Sequence, residues 1–385
     1  MDAILALLTV QLIFVLSLAA ETRLNRQLGF ILLLSIVYHT FFRPSVKVKK
    51  EDAQIGLLLI VQSFMASDFL VLTPDPHDSL RKHSDPIHNA ESSFLSRLKW
   101  GLLLLLDPRG IGWGHGRKEG DDKFRMSRIR FVIHKALLLG LCVTGFCLSG
   151  YINRTRASLA LNYAISADRF SWRVFAVVVY GARVIVFCNA LHLCVVIPLV
   201  AFGISEPEEC PPLFGSFLEA YTVSRFWRHT WHHLLRRLLS SHGEYIAKEL
   251  LHLRKGTKAY HFVKNFGAFF ISGVIHQLAE RLTSPNPPQT LSDTFWFFFR
   301  GHDFQFFLLQ PLAIVVERMV QNVLPATLLG RASKWIGYTW VLCWLSWSLS
   351  RYMDGVCRDG LMTDEHYRPI NFDMNPPEMW RALNN

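Results

Sequence analysis

The chain has 385 residues, of which 51% are hydrophobic and only 18% charged, with a net charge of +11. A soluble globular protein carries about 25% charged residues; here the apolar residues are gathered into long runs, which points to a membrane protein. The positive charge is tethered between those runs, which makes nucleic acid a poor partner and anionic lipid headgroups or an anionic cofactor better ones.

Apolar runs occur at 3–20, 28–42, 55–72, 131–151, 174–202, 262–279, 304–324 and 335–349. A helix needs about 20 apolar residues to cross the hydrocarbon core. The expected fold is therefore all-α: a polytopic integral membrane protein, residues 1–385 forming a single membrane domain with about eight transmembrane helices. The run at 28–42 is short and that at 174–202 is long and interrupted by Arg183, so the count ranges from about seven to nine. The first run ends in Leu18-Ala19-Ala20 as a signal peptide does. It lacks a positive leader, since Asp2 is the only charged side chain before Glu21, and is expected to stay as a transmembrane helix.

Two basic loops follow in chain order, 73–130 with eleven Lys/Arg and 203–261 with eight. Two spans separate them, so both are expected on one side, the cytosolic one by the positive-inside rule. The N-terminus and segment 152–173, with the only sequon Asn153-Arg154-Thr155, are then lumenal; Arg43, Lys47, Lys49 and Lys50 dissent. Proline-rich stretches at 73–76, 206–212 and 284–288 mark loops inside one membrane domain. Five of the seven cysteines lie within apolar runs, without the repeated short-spaced pairs of a zinc site, and read as buried thiols.

Three constellations carry chemistry. In Arg109-Gly110-Ile111-Gly112-Trp113-Gly114-His115-Gly116 the alternating glycines bare the backbone for a phosphate, or simply make a flexible loop. Segment 224–239 reads as one helix lying in the membrane interface. Trp227, Trp231, Leu234, Leu235 and Leu238 share its apolar face; Arg225, Arg228, His229, His232, Arg236 and Arg237 share the other, which would receive a phosphorylated cofactor or only anchor the helix. In the span 262–279, Asn265, Ser272 and His276 fall on one helical stripe, with Gly273 leaving space beside it. Polar groups in a span face a cavity or a partner, and a neutral imidazole there can accept a hydroxyl proton. A packed histidine bonded to a neighbouring helix is the plainer alternative.

His229-Thr230-Trp231-His232-His233 also matches the H-x-x-H-H box of membrane di-iron desaturases and hydroxylases. The remaining histidines form no second box of that kind, so no metal site is expected. A transporter using Arg183, Asn189 and His192 is a further alternative, although no inverted repeat is visible.

Taken in order, the three constellations resemble the wax synthase branch of the membrane-bound O-acyltransferase superfamily, most closely its fungal members that acylate secondary metabolites. The resemblance rests on R-G-I-G-W at 109–113, F-W-x-x-x-W-H at 226–232, and a segment similar to N-F-x-x-S-G-x-x-H from Asn265 to His276, with extra residues before Ser272-Gly273. It implies an acyl-CoA-dependent O-acyltransferase in the endoplasmic reticulum membrane, with no tightly bound cofactor. The co-substrate is acyl-CoA, with acetyl-CoA favoured, and the acceptor is a lipophilic alcohol of secondary metabolism such as a terpenoid. A long-chain wax ester synthase is the alternative within the family. The resemblance makes His276 catalytic, with Ser272 and Asn265 in the same segment. It assigns Trp227, Arg228, Trp231, His232 and Arg236, with Arg109, Gly110, Gly112 and Trp113, to the donor. Many relatives outside this branch have asparagine where this chain has His232.

Overall fold

The computed structural model describes residues 2–43, 46, 48–80, 93–106, 109–110, 113, 126–155, 165–167, 169–284, 287–323, 330 and 332–358. Among these the protein is all-helical, with no strand. The principal helices are α1 (Ala3–Ala19), α2 (Arg23–Val37), α3 (Lys50–Ala66), α4 (Phe94–Leu106), α5 (Arg128–Thr155), α6 (Phe170–Ala201), α7 (Arg236–Tyr245), α8 (Lys258–Thr283), α9 (Leu291–Arg300), α10 (His302–Val323) and α11 (Ala332–Arg358). Each of the eight apolar runs falls almost wholly within one of these helices or its immediate continuation. Four stretches are long and apolar enough to cross a membrane by length and composition: 52–72, 128–150, 170–201 and 302–323.

Helix starts follow the local sequence. Asp2 accepts from the Ile4 N–H at 2.9 Å, and Thr257 from the Tyr260 N–H at 3.2 Å; Thr290 and Asp293 cap α9 reciprocally. Such caps satisfy donors that the first helical turn leaves open. Two helices, α2 and α3, end in a wider turn in which the closing N–H reaches back five residues: Arg43 to Tyr38 O and Thr73 to Asp68 O, each at 2.9 Å.

Two compact units can be distinguished: Met1–Val132 with Pro198–Val341, and Ile133–Ile197 with Leu342–Asn385. In the first unit, α1 buries Ala6, Val10, Phe14 and Leu18, spaced four residues apart, against α2 and α4. Helix α4 lies inside what the sequence presents as a basic loop at 73–130. At 13 residues it is too short to stand out as a span, and Trp100 ties it down by donating to Leu80 O at 3.1 Å. Helix α8 packs most extensively on α10 and α7, and also on α3. In the second unit Asp354 accepts from the Ser166 N–H at 3.1 Å, and the Arg183 guanidinium sits 4.1 Å over the Phe146 ring.

Candidate active site

Helix α8 presents its three expected polar residues unequally. Ser272 is buried, His276 is half-buried and Asn265 is exposed. The structure thus keeps Ser272 one turn from His276 but sets Asn265 outward. The space expected beside Gly273 is occupied: a Cβ there would lie 3.0 Å from Phe304 Cδ2 and 3.3 Å from Phe307 Cβ. Glycine lets α10 come that close, and Phe307 stacks on the His276 ring, centroids 4.5 Å apart and planes 25° from parallel.

Segment 224–239 is not the single interfacial helix that its pattern predicts. A short helical turn, Val223–Arg225, is capped by Thr222 and runs into a wide turn, Phe226–Thr230. Trp231 is extended, and α7 begins only at Arg236. The cause is long-range. The Thr230 carbonyl, which a continuing helix would offer to residue 234, accepts from the Gly215 N–H at 3.0 Å, and the Thr230 hydroxyl donates to Ser216 O at 3.0 Å. The break also removes the register that would align His229 and His233 as metal ligands four residues apart on a helix. Among the described residues no three His, Cys, Asp or Glu side chains gather as a metal ion would need.

Breaking the helix redistributes its side chains. Arg228, His229 and Arg236 remain exposed. Arg237 instead turns inward, its Nε 2.9 Å from the carboxylate of buried Asp68. Trp227 packs against Trp231, Phe269, Phe306 and Phe307, with centroids 5.7–6.2 Å apart, and its indole N–H donates to Gln310 Oε1 at 3.2 Å. His232 follows this cluster, 5.8 Å edge-on to Phe214 and 5.4 Å from Trp231. Its Nδ1 is buried with no hydrogen-bond partner among the described residues, and its ring is near enough to His276 for their charges to interact. Burial, aided by the neighbouring charge of His233, pushes the His232 imidazole down to about 4. A half-buried neutral ring brings no positive charge of its own to a phosphate.

A measurable consequence follows. An imidazole whose pKa falls on folding takes up protons first in the unfolded chain, so stability is greatest above about pH 6.5 and declines as pH falls toward 4. At about 1.4 kcal/mol per pKa unit the loss approaches about 3 kcal/mol. Unfolding of the detergent-solubilised protein followed across this window should show a steeper acid decline for wild type than for His232→Gln; equal slopes would deny the burial of a neutral His232.

Arg109, which opens the R-G-I-G-W motif, braces the turn. Arg109 donates to Pro211 O at 2.7 Å and Pro212 O at 3.0 Å, in the loop that also holds Thr230. Gly110 adopts φ 59°, a left-handed conformation that favours glycine. Its carbonyl accepts from the Trp113 N–H at 3.1 Å, and Trp113 is buried in the core. Gly112 lies outside the described residues.

The aromatic wall of Phe269, Phe306 and Phe307 and the polar support from Gln310 have no counterpart among the expected site residues. Gln310 carried a usable signal as a polar group inside an apolar run. The phenylalanines carried none, because lipid-facing and site-facing aromatics look alike in a span.

The site thus joins two imidazoles to an aromatic wall in an all-helical membrane protein, an arrangement suited to proton transfer away from bulk water. The sequence profile of the membrane bound O-acyl transferase family matches residues 210–300, the stretch that contains both histidines. Acetyltransferase eriL of Hericium erinaceus is 30% identical over 336 residues, covering 84% of this chain and 82% of that protein. Acetyltransferase ple2 of Rhodocybe pseudopiperita is 29% identical over 315 residues, covering 78% and 77%. O-Mevalon transferase macI of Penicillium terrestre is 28% identical over 281 residues, covering 68% and 63%. No solved structure matches. The chain belongs to the membrane bound O-acyl transferase family and is an acyltransferase.

Proposed function

We propose that the protein transfers an acetyl group from acetyl-CoA to the hydroxyl of a lipophilic secondary metabolite such as a terpenoid, in the endoplasmic reticulum membrane. The observation that carries this reading is His276 stacked on Phe307, with half-buried His232 in electrostatic reach. Acetyl is favoured over a long acyl chain because several relatives are named acetyltransferases.

His276 takes the hydroxyl proton as the alcohol oxygen attacks the thioester carbonyl carbon. His232 supplies a hydrogen bond to the carbonyl oxygen as negative charge gathers there. The carbon–sulfur bond then breaks, and the proton passes from His276 to the departing thiolate, leaving ester and free CoA. The transfer is direct and uses no acyl-enzyme. The aromatic wall holds the reacting carbons and excludes water, which limits wasteful hydrolysis of the thioester. The exposed Arg228 and Arg236 receive the donor's phosphates. Arg109, Gly110 and Trp113 serve the donor site indirectly, as the brace behind the turn.

Membranes carrying the protein should release CoA from acetyl-CoA when supplied with hydrophobic alcohols, and faster than from palmitoyl-CoA. A preference for palmitoyl-CoA would favour a wax ester synthase, and no alcohol-dependent release with either donor would refute the reading. Replacing Arg228 and Arg236 by Gln should raise the Michaelis constant for acetyl-CoA several-fold, with the difference shrinking at high salt as screening grows. An unchanged donor dependence would remove both arginines from the donor site.

A further inference from the structure

Helix α10 touches both halves of the site. Phe306, Gln310 and Glu317 share one buried stripe, with Phe307 beside it, while Leu312, Val316, Met319, Val320 and Val323 of the same helix are exposed. Phe307 stacks on His276. Gln310 accepts from the Trp227 indole N–H at 3.2 Å and donates to Phe306 O at 2.9 Å. Glu317 is only 7% exposed, and its carboxylate accepts from three N–H groups. Those donors are the backbone N–H groups of Val223 and Ser224 (the latter at 3.2 Å) and Trp340 Nε1 at 2.9 Å. The first two are open donors where the helical turn leading to Phe226–Thr230 begins. A carboxyl group buried in a candidate span is costly to keep. This one has an arrangement of donors that only an acceptor satisfies, aimed at the start of the segment that delivers Trp227 and His232.

We infer that Glu317 and Gln310 are positioning residues. Together they fix the 223–232 segment to the same helix that stacks on His276, and so set the register of His232 against His276. The inference rests on the acyl-transfer reading above. Neither residue needs to contact substrate; each acts through the turn. A misplacement of about 1 Å in a catalytic group can cost as much as about 100-fold, so the effect belongs in turnover and not in donor binding.

The test compares Glu317→Gln, Gln310→Leu and Trp340→Phe with wild type in membranes, normalised to folded protein, using acetyl-CoA and the best hydrophobic alcohol. In Glu317→Gln an amide NH2 replaces one acceptor oxygen and opposes one of the two backbone N–H groups, that of Ser224 or that of Val223 according to which way the amide turns. It should lower kcat roughly tenfold or more and leave the Michaelis constant for acetyl-CoA within about twofold. Gln310→Leu should act in the same direction and decides the matter if Glu317→Gln does not fold. Trp340→Phe keeps both backbone contacts and should stay within about twofold of wild type. In a His276→Gln background, Glu317→Gln should cost little more, because the base whose register it maintains is gone. Normal kcat per folded molecule in Glu317→Gln or Gln310→Leu would overturn the inference. So would a rise in the Michaelis constant with kcat intact, or an undiminished Glu317→Gln effect in the His276→Gln background. Normal turnover in His276→Gln alone would instead remove the reading beneath it.

Discussion

His276→Gln is expected to insert normally, bind the acyl donor and lose at least ~100-fold in turnover, the low end of what a positioned general base supplies. Glutamine keeps a polar side chain of similar bulk beside Phe307 but cannot take a proton near neutral pH. A histidine that served only to pack and bond would tolerate it. The neighbouring Ser272→Ala should cost far less, because a single hydrogen bond contributes about 0.5–1.5 kcal/mol net. Turnover and donor affinity measured on the same membranes separate these outcomes. If His276→Gln keeps near-normal turnover, His232 becomes the first candidate for the base, being half-buried, neutral and within the same cluster.

Arg237→Met should destabilise the protein by about 3–5 kcal/mol, the range for removing one partner of a buried ion pair. Asp68 is 1% exposed, and Arg237 is its charged partner, with Nε at 2.9 Å and Nη2 at 3.4 Å from its oxygens. Arg237 Nη2 also lies 3.3 Å from Thr73 Oγ1. One turn along α7, His242 donates from Nδ1 to Leu238 O at 2.7 Å, which leaves Nε2 to accept from the Ser67 hydroxyl at 3.2 Å. The pair therefore fastens the wide turn ending α3 to the start of α7. The loss comes mainly from leaving the buried Asp68 carboxyl without its charged partner, with only Ser241 and His242 still beside it. Asp68→Leu combined with Arg237→Met should recover most of it, since apolar replacements for a buried pair are commonly neutral. Unfolding in detergent reads both variants. Equal destabilisation by the single and double variants would show that packing, not the ion pair, matters at this point.

The contrast between α1 and the 223–232 turn shows which features could be read from sequence. Hydropathy alone finds the helix at 3–19 but not its inward face, because the buried Ala6, Val10, Phe14 and Leu18 and the exposed Ile4, Leu5, Leu8 and Leu12 are all apolar. The break at Trp231 depends on Gly215 and Ser216, whose contacts with Thr230 form only once the loop after Cys210 has folded back. An amphipathic pattern over 224–239 has no access to that, and so Arg237 reads as a solvent-facing charge when it is half of a buried pair. Arg109 stood out as part of a motif, but its partners are carbonyls about a hundred residues away. Glu317 and Gln310 are different. Both were visible as polar residues in an apolar run, seven apart and hence on one face, and the rule that a span does not keep such groups idle applies to them as to His276. His276 was recognisable because a motif surrounds it, and Glu317 has none.

The most direct test of direct acyl transfer at His276 is a single-turnover experiment with acetyl-labelled CoA and purified protein, with and without the acceptor alcohol. Direct transfer keeps the label on CoA without alcohol and moves it to the ester, with release of one free thiol per ester, when alcohol is added; in His276→Gln the label should stay on CoA in both cases. Label bound covalently to the protein, or transfer by His276→Gln at the wild-type rate, would contradict it.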